Sequence, residues 1–361
     1  MENAKCLTIE ELLRKLVQLR GSDLHVSSNL PAVIRADGGL CRIDDNVYTP
    51  DEVEGLLLPM LSNEQRRTLE QTWELDFSYG IEGLCRFRVN IYKDKGHYAA
   101  AFRTINSVAP TLAQLGLPAA VEKIANKPRG LVLVTGPTGS GKSTTLAAII
   151  DHINTNRAEH ILTIEDPIEF VHTSKKSIIH QRELGLDTRS FSNALRSALR
   201  EDPDIILVGE MRDHETISLA LTAAETGHLV FGTLHTSSAA QTIDRIIDVF
   251  PEGQQQQIRI QLASSLVAVF SQTLMQKVQT DGTKKGRIMA QEILLVTPAI
   301  SNLIREAKTA QIYSTIQMNS TIGMQTLEAS LAELYKAGSI TLDDALTRSS
   351  RPEELGRLIK S

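Results

Sequence analysis

The chain has 361 residues, of which 42% are hydrophobic and 22% charged, and its formal net charge is −5. That length is too great for one ordinary hydrophobic core and predicts two domains of a globular protein. The acidic balance and the aromatic content of only 4% argue against a protein whose main role is to hold nucleic acid.

The sequence also argues against membrane insertion and against disulfide bonds. No apolar run approaches the roughly 18–20 residues that cross a bilayer, and residues 1–5 lack the apolar segment of a secretory signal. The cysteines Cys6, Cys41 and Cys85 lie far apart and without zinc-binding spacing. We therefore expect a cytoplasmic protein with free thiols and no direct membrane insertion.

Residues 1–107 alternate helix and strand patterns and lack a phosphate-binding motif. Helical spacing over 9–20 stops at Gly21, which predicts a C-cap there. Two strand patterns flank residues 93–96, which is typical of a β-hairpin. The predicted strands are 22–26, 32–35, 85–92 and 97–105, and helices are expected within 51–71, capped by Thr49 and Ser62. These patterns predict a small α+β domain built on an antiparallel sheet.

The pattern changes at residues 108–118, where two prolines and a glycine predict a linker. From residue 119 onward, strand and helix patterns alternate, which is typical of a mostly parallel sheet. Strands are predicted at 131–135, 160–164, 205–209 and 229–233, and helices at 142–154, 190–200, 213–226, 239–249 and 254–276. We expect the core of this second domain to span 119–285 and a mainly helical C-terminal region to span 286–361.

A phosphate-binding loop follows the first strand of this second domain. Residues 136–143 match the pattern GxxxxGK[ST] between an apolar strand and a helix-prone run. Glycines let backbone N–H groups turn inward around phosphates, and the helix N-terminus adds the positive end of its dipole. Lys142 is expected to neutralise phosphate charge and the Ser143 hydroxyl to bind Mg²⁺. The predicted nucleotide-binding residues are Gly136, Pro137, Thr138, Gly139, Ser140, Gly141, Lys142, Ser143 and Thr144.

Two predicted strands of the second domain end in acidic residues, at the edge where ligands bind in open α/β sheets. Glu165 is placed to orient and deprotonate an attacking water, although a merely solvated acidic turn has the same pattern. Glu210 ends an apolar strand in the Walker B manner, which supports Mg²⁺ through its water shell. Gly209 stands where that pattern usually has Asp, so Glu210 is expected to carry this metal role alone.

Histidines stand at both ends of the next predicted strand, at His228 and His235. A single histidine in such a place is more often structural than catalytic. The pair predicts a sensor of the γ-phosphate, with a structural role as the alternative.

Arginines mark one face of the predicted N-terminal hairpin. Arg86 and Arg88 lie two residues apart on one strand and therefore share a face, and Arg103 lies on the partner strand. One explanation is a solvated basic face. The other is an arginine that reaches a nucleotide across a subunit boundary, which contributes large rate factors in enzymes of this kind.

Together, these segments closely resemble the PilT-type retraction ATPases of type IV pili, within the secretion ATPase superfamily. The likeness runs from about residue 21 to about residue 339 and includes long stretches such as 194–204. It implies an α/β protein with an N-terminal PAS-like α+β domain, then a RecA-like P-loop ATPase domain with a helical C-terminal extension. It further implies a homo-hexamer that hydrolyses ATP with Mg²⁺ to drive pilus retraction and twitching motility.

The resemblance also implies partners and residue roles. The implied partners are an inner-membrane platform protein and, as a further candidate, a paralogous pilus ATPase, with the ring cytoplasmic and peripheral at the inner membrane. Glu165 matches the catalytic acid of the family and Glu210 its Walker B acid. The other matching positions are Lys142 and Ser143 (Walker A), His228 and His235 (His box), and Arg86, Arg88 and Arg103 (arginine-bearing strands).

Other functions stay open at this point. The main rival is a pilus assembly or type II secretion ATPase, whose usual four-cysteine zinc insertion this chain lacks. An accessory nucleotide-binding modulator is a second rival, because Gly96 and Ser301 stand where the family often has Arg. A hexameric nucleic-acid translocase is a third, against which the acidic charge and scarce aromatics argue.

Overall fold

The computed structural model describes residues 7–36, 39–43, 45–105, 108–279 and 283–360. The chain divides into two compact units: unit 1 holds the residues up to Val108 together with Glu169–Val171, and unit 2 holds Ala109–Ile168 and the residues from His172 onward. Cys41 and Cys85 are free thiols, whereas Cys6 lies outside the described residues. Within the described chain, no helix combines the length and the apolar character needed to cross a bilayer.

Unit 1 is built on a six-stranded antiparallel sheet with the strand order β3-β2-β1-β6-β5-β4. The predicted hairpin is confirmed as β5 and β6. Alternate residues of β5, including Phe87 and Val89, are buried in the core of this unit. The elements are α1 (Ile9–Gln18), β1 (Asp23–Ser27), β2 (Val33–Ala36), β3 (Gly39–Arg42), α2 (Pro50–Leu57), α3 (Asn63–Thr72), β4 (Glu74–Ile81), β5 (Cys85–Asp94) and β6 (His97–Ile105).

Caps explain where the helices of unit 1 begin. Thr49 and Ser62 cap α2 and α3 as predicted, each within a capping box. The predicted C-cap at Gly21 is wrong, because α1 ends at Gln18 and Arg20 takes the left-handed conformation, with a φ of 53°. Gly21 is instead a point of close packing, since a Cβ there would lie 2.6 Å from a methyl carbon of Leu16.

Unit 2 is built on a seven-stranded sheet with the order β13-β12-β7-β11-β10-β8-β9, in which only the β12–β13 pair is antiparallel. The strands are β7 (Gly130–Thr135), β8 (His160–Glu165), β9 (Ile178–Glu183), β10 (Ile205–Val208), β11 (Leu229–Leu234), β12 (Leu266–Val278) and β13 (Lys284–Leu295). Strand β7 is buried on both faces, so it reads as a continuous apolar run.

The helices of unit 2 include the four predicted between the parallel strands. Their bounds are α4 (Ala119–Ala125), α5 (Lys142–Asn156), α6 (Phe191–Ala198), α7 (His214–Glu225), α8 (Ala239–Asp248), α9 (Glu252–Ser265), α10 (Pro298–Arg305), α11 (Ile312–Met318), α12 (Leu327–Lys336), α13 (Leu342–Arg348) and α14 (Pro352–Lys360). The predicted linker, 108–118, contains neither helix nor strand in the structure.

One expectation for unit 2 is wrong, and a second, the mainly helical region over 286–361, is wrong only at its start. The helix predicted over 254–276 ends at Ser265, and the chain continues as strand β12. The region predicted as helical from 286 begins with strand β13, and its first helix starts at Pro298. Periodicity cannot separate a fully buried strand from a buried helix, and β12 is buried on both faces over most of its length.

Candidate nucleotide-binding site

The loop between β7 and α5 has the conformation that an anion-binding loop needs. Gly136, Gly139 and Gly141 have φ values of 144°, 77° and 88°, and Gly141 is the N-cap of α5. At Gly136 the glycine is obligatory, because a Cβ there would lie 2.2 Å from the backbone oxygen of Gln272. The loop therefore presents its backbone at the N-terminus of a 15-residue helix.

Lysine and hydroxyl groups complete this loop. The Nζ of Lys142 donates to the carbonyl oxygens of Gly136, at 2.8 Å, and Pro137, at 3.2 Å, which holds the cation over the loop. Ser140 is buried, and its hydroxyl has no hydrogen-bond partner among the residues that the structure describes. The remaining loop residues are exposed at the tip (Thr138 and Gly139) or half-buried in the first turn of α5 (Ser143 and Thr144). These donors fit the phosphates of a nucleotide.

Glu210 follows β10 and is held by two cationic or polar neighbours. Its Oε1 accepts hydrogen bonds from the Nε of Arg212 at 2.6 Å and the Nε2 of His235 at 3.0 Å. Burial alone would raise the pKa of this carboxyl, but Arg212 and His235 outweigh that effect and lower the pKa below its ordinary value. Glu210 is therefore an ionised carboxylate at neutral pH.

Glu165 is the last residue of β8. Its Oε1 accepts hydrogen bonds from the Oγ1 of Thr163 at 2.6 Å and the Nε2 of Gln181 at 3.2 Å. Gly209 explains the missing Walker B aspartate, because a Cβ there would lie 3.0 Å from the backbone oxygen of Ile164 and 3.2 Å from the Cα of Glu165. A side chain at Gly209 would crowd the backbone of Ile164 and Glu165 at the end of β8.

The sheet brings these groups to one edge. Strands β7, β8, β10 and β11 are parallel neighbours, so their carboxyl ends meet at the same edge. The phosphate-binding loop, Glu165, Glu210 and His235 follow or end those four strands. Their backbone positions therefore lie at the same edge of the sheet.

His228 does not join this group. It precedes β11, whereas His235 follows it, and the six residues of that strand span about 20 Å. The Nδ1 of His228 lies 3.0 Å from the carbonyl oxygen of Ala223 at the end of α7. The two histidines therefore stand at opposite ends of β11, as the sequence predicted, and His235 is the one that contacts Glu210.

The three arginines share one face of the sheet in unit 1, as predicted. Arg88 is opposite Arg103 in the β5–β6 pair, and Arg86 lies two residues along the same strand. The Nε of Arg103 donates to the Oδ1 of Asp23 at 2.8 Å, and Arg103 remains 70% exposed. Gly96 stands where the family often has Arg. Its φ of 86° in the β5–β6 turn is a backbone conformation that favours glycine.

Two residues of the site were missed in the sequence. Gln272 lies on β12, the strand mistaken for a helix, and its Nε2 donates to the carbonyl oxygen of Ser140 at 2.8 Å. Arg212 was seen only as part of the Walker B segment. A polar pair within the apolar run of β12, Ser271 and Gln272, was the available signal, since buried polar side chains require partners.

Comparison with known proteins agrees with this geometry. The family model described as "Type II/IV secretion system protein" matches residues 100–346. The chain is 52% identical over 347 residues to the type IV pilus retraction ATPase PilT of Pseudomonas aeruginosa, which covers 96% of this chain and 99% of that protein. It is 51% identical over 355 residues to a twitching motility protein of Neisseria gonorrhoeae, which covers 98% of this chain and 94% of the relative.

A solved structure agrees in fold over nearly the whole chain. The crystal structure of the pilus retraction motor PilT with bound ADP matches with a TM-score of 0.91 and 48% identity, over 98% of this chain and 100% of that one. The family model covers more than half of the chain, and the relatives align along almost all of it. The chain therefore belongs to the type II/IV secretion system protein family.

Proposed function

We propose that this chain is an ATPase motor that hydrolyses ATP to retract type IV pili and so supports twitching motility. The convergence of the phosphate-binding loop, Glu165 and Glu210 at one sheet edge carries the proposal of hydrolysis. The likeness to a pilus retraction ATPase over 96% of the chain supports retraction, because it extends through both units and not only the nucleotide core.

Mg²⁺ fits the oxygen atoms available at this edge. Hard cations prefer carboxylate, hydroxyl and water oxygens. The Ser143 hydroxyl in the first turn of α5 would bind the ion directly, and the ionised Glu210 would hold its water shell. When bound there, the ion supplies charge neutralisation for the β- and γ-phosphates.

The chain's own residues supply the other parts of the reaction. Lys142 neutralises phosphate charge from the rim of the loop. Glu165, oriented by its hydrogen bonds from Thr163 and Gln181, positions the attacking water and accepts its proton. His235 holds Glu210 and is the histidine placed to respond to the γ-phosphate.

We infer that the active form is a homo-hexamer with ATP bound at subunit boundaries. Unit 1 is proposed to be PAS-like, since it has an antiparallel sheet flanked by helices, and unit 2 to be RecA-like, since its loop lies at the carboxyl edge of a mostly parallel sheet. Arg86, Arg88 and Arg103 then reach the nucleotide of a neighbouring subunit. The likeness to pilus motors supports a cytoplasmic ring at the inner membrane, with a membrane platform protein and a paralogous pilus ATPase as partners.

Deletion of the gene in a piliated host tests the function directly. We expect excess surface fibres and loss of twitching, both restored by the wild-type gene and neither by a gene carrying Lys142→Ala, because retraction requires nucleotide binding. Fibres are counted by electron microscopy and twitching by colony spreading. Bald cells would indicate an assembly motor instead, and unchanged fibres and motility would indicate an accessory protein.

A further inference from the structure

Strand β12 packs against the phosphate-binding loop. It pairs in parallel with β7, so its residues run beside the strand that leads into the loop. Its Gln272 is only 3% exposed, and its backbone oxygen packs against Gly136. Leu274 of the same strand lies against Gly141, where a Cβ would be 3.1 Å from its Cδ1. Gly136 and Gly141 therefore both pack closely against β12.

The side-chain amide of Gln272 bridges the loop and the helix that follows it. Its Nε2 donates to the carbonyl oxygen of Ser140 at 2.8 Å, and its Oε1 accepts from the Oγ1 of Thr145 at 3.1 Å. Thr145 is 2% exposed and belongs to the first turn of α5. The amide orientation follows from its partners, because a carbonyl oxygen only accepts while a hydroxyl can donate.

This bridge controls the direction of a peptide group in the loop. A trans peptide unit is planar, so its N–H points opposite to its C=O. With the Ser140 carbonyl held by Gln272, the N–H of Gly141 must point away from β12. The carbonyls of Gly136 and Pro137 are likewise occupied, the former by Lys142 and the latter by Lys142 and the Ser140 N–H.

We propose that Gln272 is a positioning residue for nucleotide binding: its amide holds the Ser140–Gly141 peptide in the orientation that presents the Gly141 N–H to a phosphate. This inference rests on the proposed function, since it concerns the same nucleotide. Gln272 touches no phosphate itself. A group with one donor and one acceptor is required at this position, and the glutamine amide provides both in a buried place where an unmet partner is costly.

Gln272→Glu tests the proposal, because it preserves the shape of the side chain and removes its donor when the carboxyl is ionised. We expect the affinities for ATP and ADP to fall together by at least about tenfold at pH 8, as for loss of a buried hydrogen bond facing a carbonyl. Titration of nucleotide by calorimetry, without turnover, measures both. As the pH is lowered and the carboxyl gains a proton, its donor returns, so the affinity ratio to the wild type should approach one.

The matched control is Gln291→Glu on β13. Gln291 is opposite Gln272 in the antiparallel pair and is 6% exposed, but its amide donates to the Sδ of Met289, at 3.5 Å. Its affinity ratio should stay near one at each pH. If Gln272→Glu does not fold, Gln272→Met replaces it. That variant should lose a similar affinity and show no recovery at low pH.

The outcomes separate this inference from the proposed function. If folded Gln272→Glu or Gln272→Met binds nucleotide with wild-type affinity at pH 8, the positioning role of Gln272 is refuted. The proposal that the chain hydrolyses ATP is not affected by that result. Equal losses in the Gln291→Glu control would also overturn it, because the effect would then belong to the sheet as a whole. Failure of the wild-type chain to bind ATP or release phosphate would instead refute the proposed function.

Discussion

At the scale of single residues, the charge state of Glu210 is set by its neighbours. Arg212 and His235 both donate to the same carboxylate oxygen. Their hydrogen bonds and charges keep the pKa of Glu210 low despite partial burial. The carboxylate is thus available as an anion to the water shell of a metal ion at neutral pH.

Glu210→Gln should reduce phosphate release by about a hundredfold or more while ATP binding remains within a few-fold of the wild type. Gln retains the shape of the side chain but removes the negative charge that supports the metal shell, and losses of this size are typical of catalytic groups. Steady-state phosphate release and nucleotide titration measure the two effects. The control is Glu215→Gln on α7, an exposed carboxylate paired with Arg196. Wild-type turnover in Glu210→Gln would refute the role given to Glu210.

At the scale of elements, a hydrogen bond joins strand β13, an outer strand of the sheet, to helix α8, which follows His235 in the chain. The carboxylate of Glu292 on β13 accepts the backbone N–H of Ala239, the first residue of α8, at 2.7 Å. Burial, together with the nearby charge of Glu328, raises the pKa of Glu292 to about 7, against the opposing effects of the Ala239 N–H and Arg351. Between about pH 4.5 and about pH 7, Glu292 therefore holds a proton in the folded chain and loses it in the unfolded chain.

Glu292→Gln should make the free energy of unfolding less sensitive to rising pH. In the wild type, stability falls as the pH rises from about 4.5 to about 7, since the folded state binds the proton more tightly than the unfolded state. Each pKa unit corresponds to about 1.4 kcal/mol, so the full effect is on the order of 3 kcal/mol. Gln does not titrate and still accepts the Ala239 N–H. The variant should therefore gain stability relative to the wild type over that interval.

Denaturant unfolding from about pH 5 to about pH 8 measures this difference between variant and wild type. The control is Glu333→Gln on α12, whose carboxylate is exposed, and its difference should not change with pH. A difference for Glu292→Gln that stays constant across the interval would contradict a buried, protonated Glu292.

At the scale of the whole molecule, the proposed ring requires that Arg103 and Glu210 of one active site come from different subunits. Glu210 belongs to unit 2 and Arg103 to unit 1. Arg103 is 70% exposed, although it is paired with Asp23. Burial raises the pKa of Asp23, but the Ser22 hydrogen bond and the pairing with Arg103 outweigh it and lower the pKa. If Arg103 turns to a phosphate, it must therefore leave the Asp23 carboxylate.

Mixed rings test this claim. Subunits with Arg103→Ala and subunits with Glu210→Gln should each hydrolyse ATP poorly alone, and a mixture should recover part of the activity. Recovery follows because some boundaries then combine an intact Arg103 with an intact Glu210. Phosphate release is measured across mixing ratios, with Glu210→Gln mixed into a second preparation of itself as the control. No recovery at any ratio would remove the proposed role across the boundary.

Features that depend on residues close together in the chain could be predicted from the sequence. Short-range spacing predicted the glycines and Lys142 of the phosphate-binding loop and the caps Thr49 and Ser62. Continuous apolar runs predicted four of the parallel strands, β7, β8, β10 and β11. The acids Glu165 and Glu210 were placed at one sheet edge because parallel strands align their carboxyl ends.

Pairings between residues far apart in the chain became visible only in the folded structure. Strand β12 has the apolar character of a buried helix, and nothing local indicates that Gln272 bonds to Ser140, 132 residues away. The same holds for β13 and for the bond between Glu292 and α8. Such contacts depend on which strands pair and in which register, and the free energy that selects one pairing comes from the whole packed core.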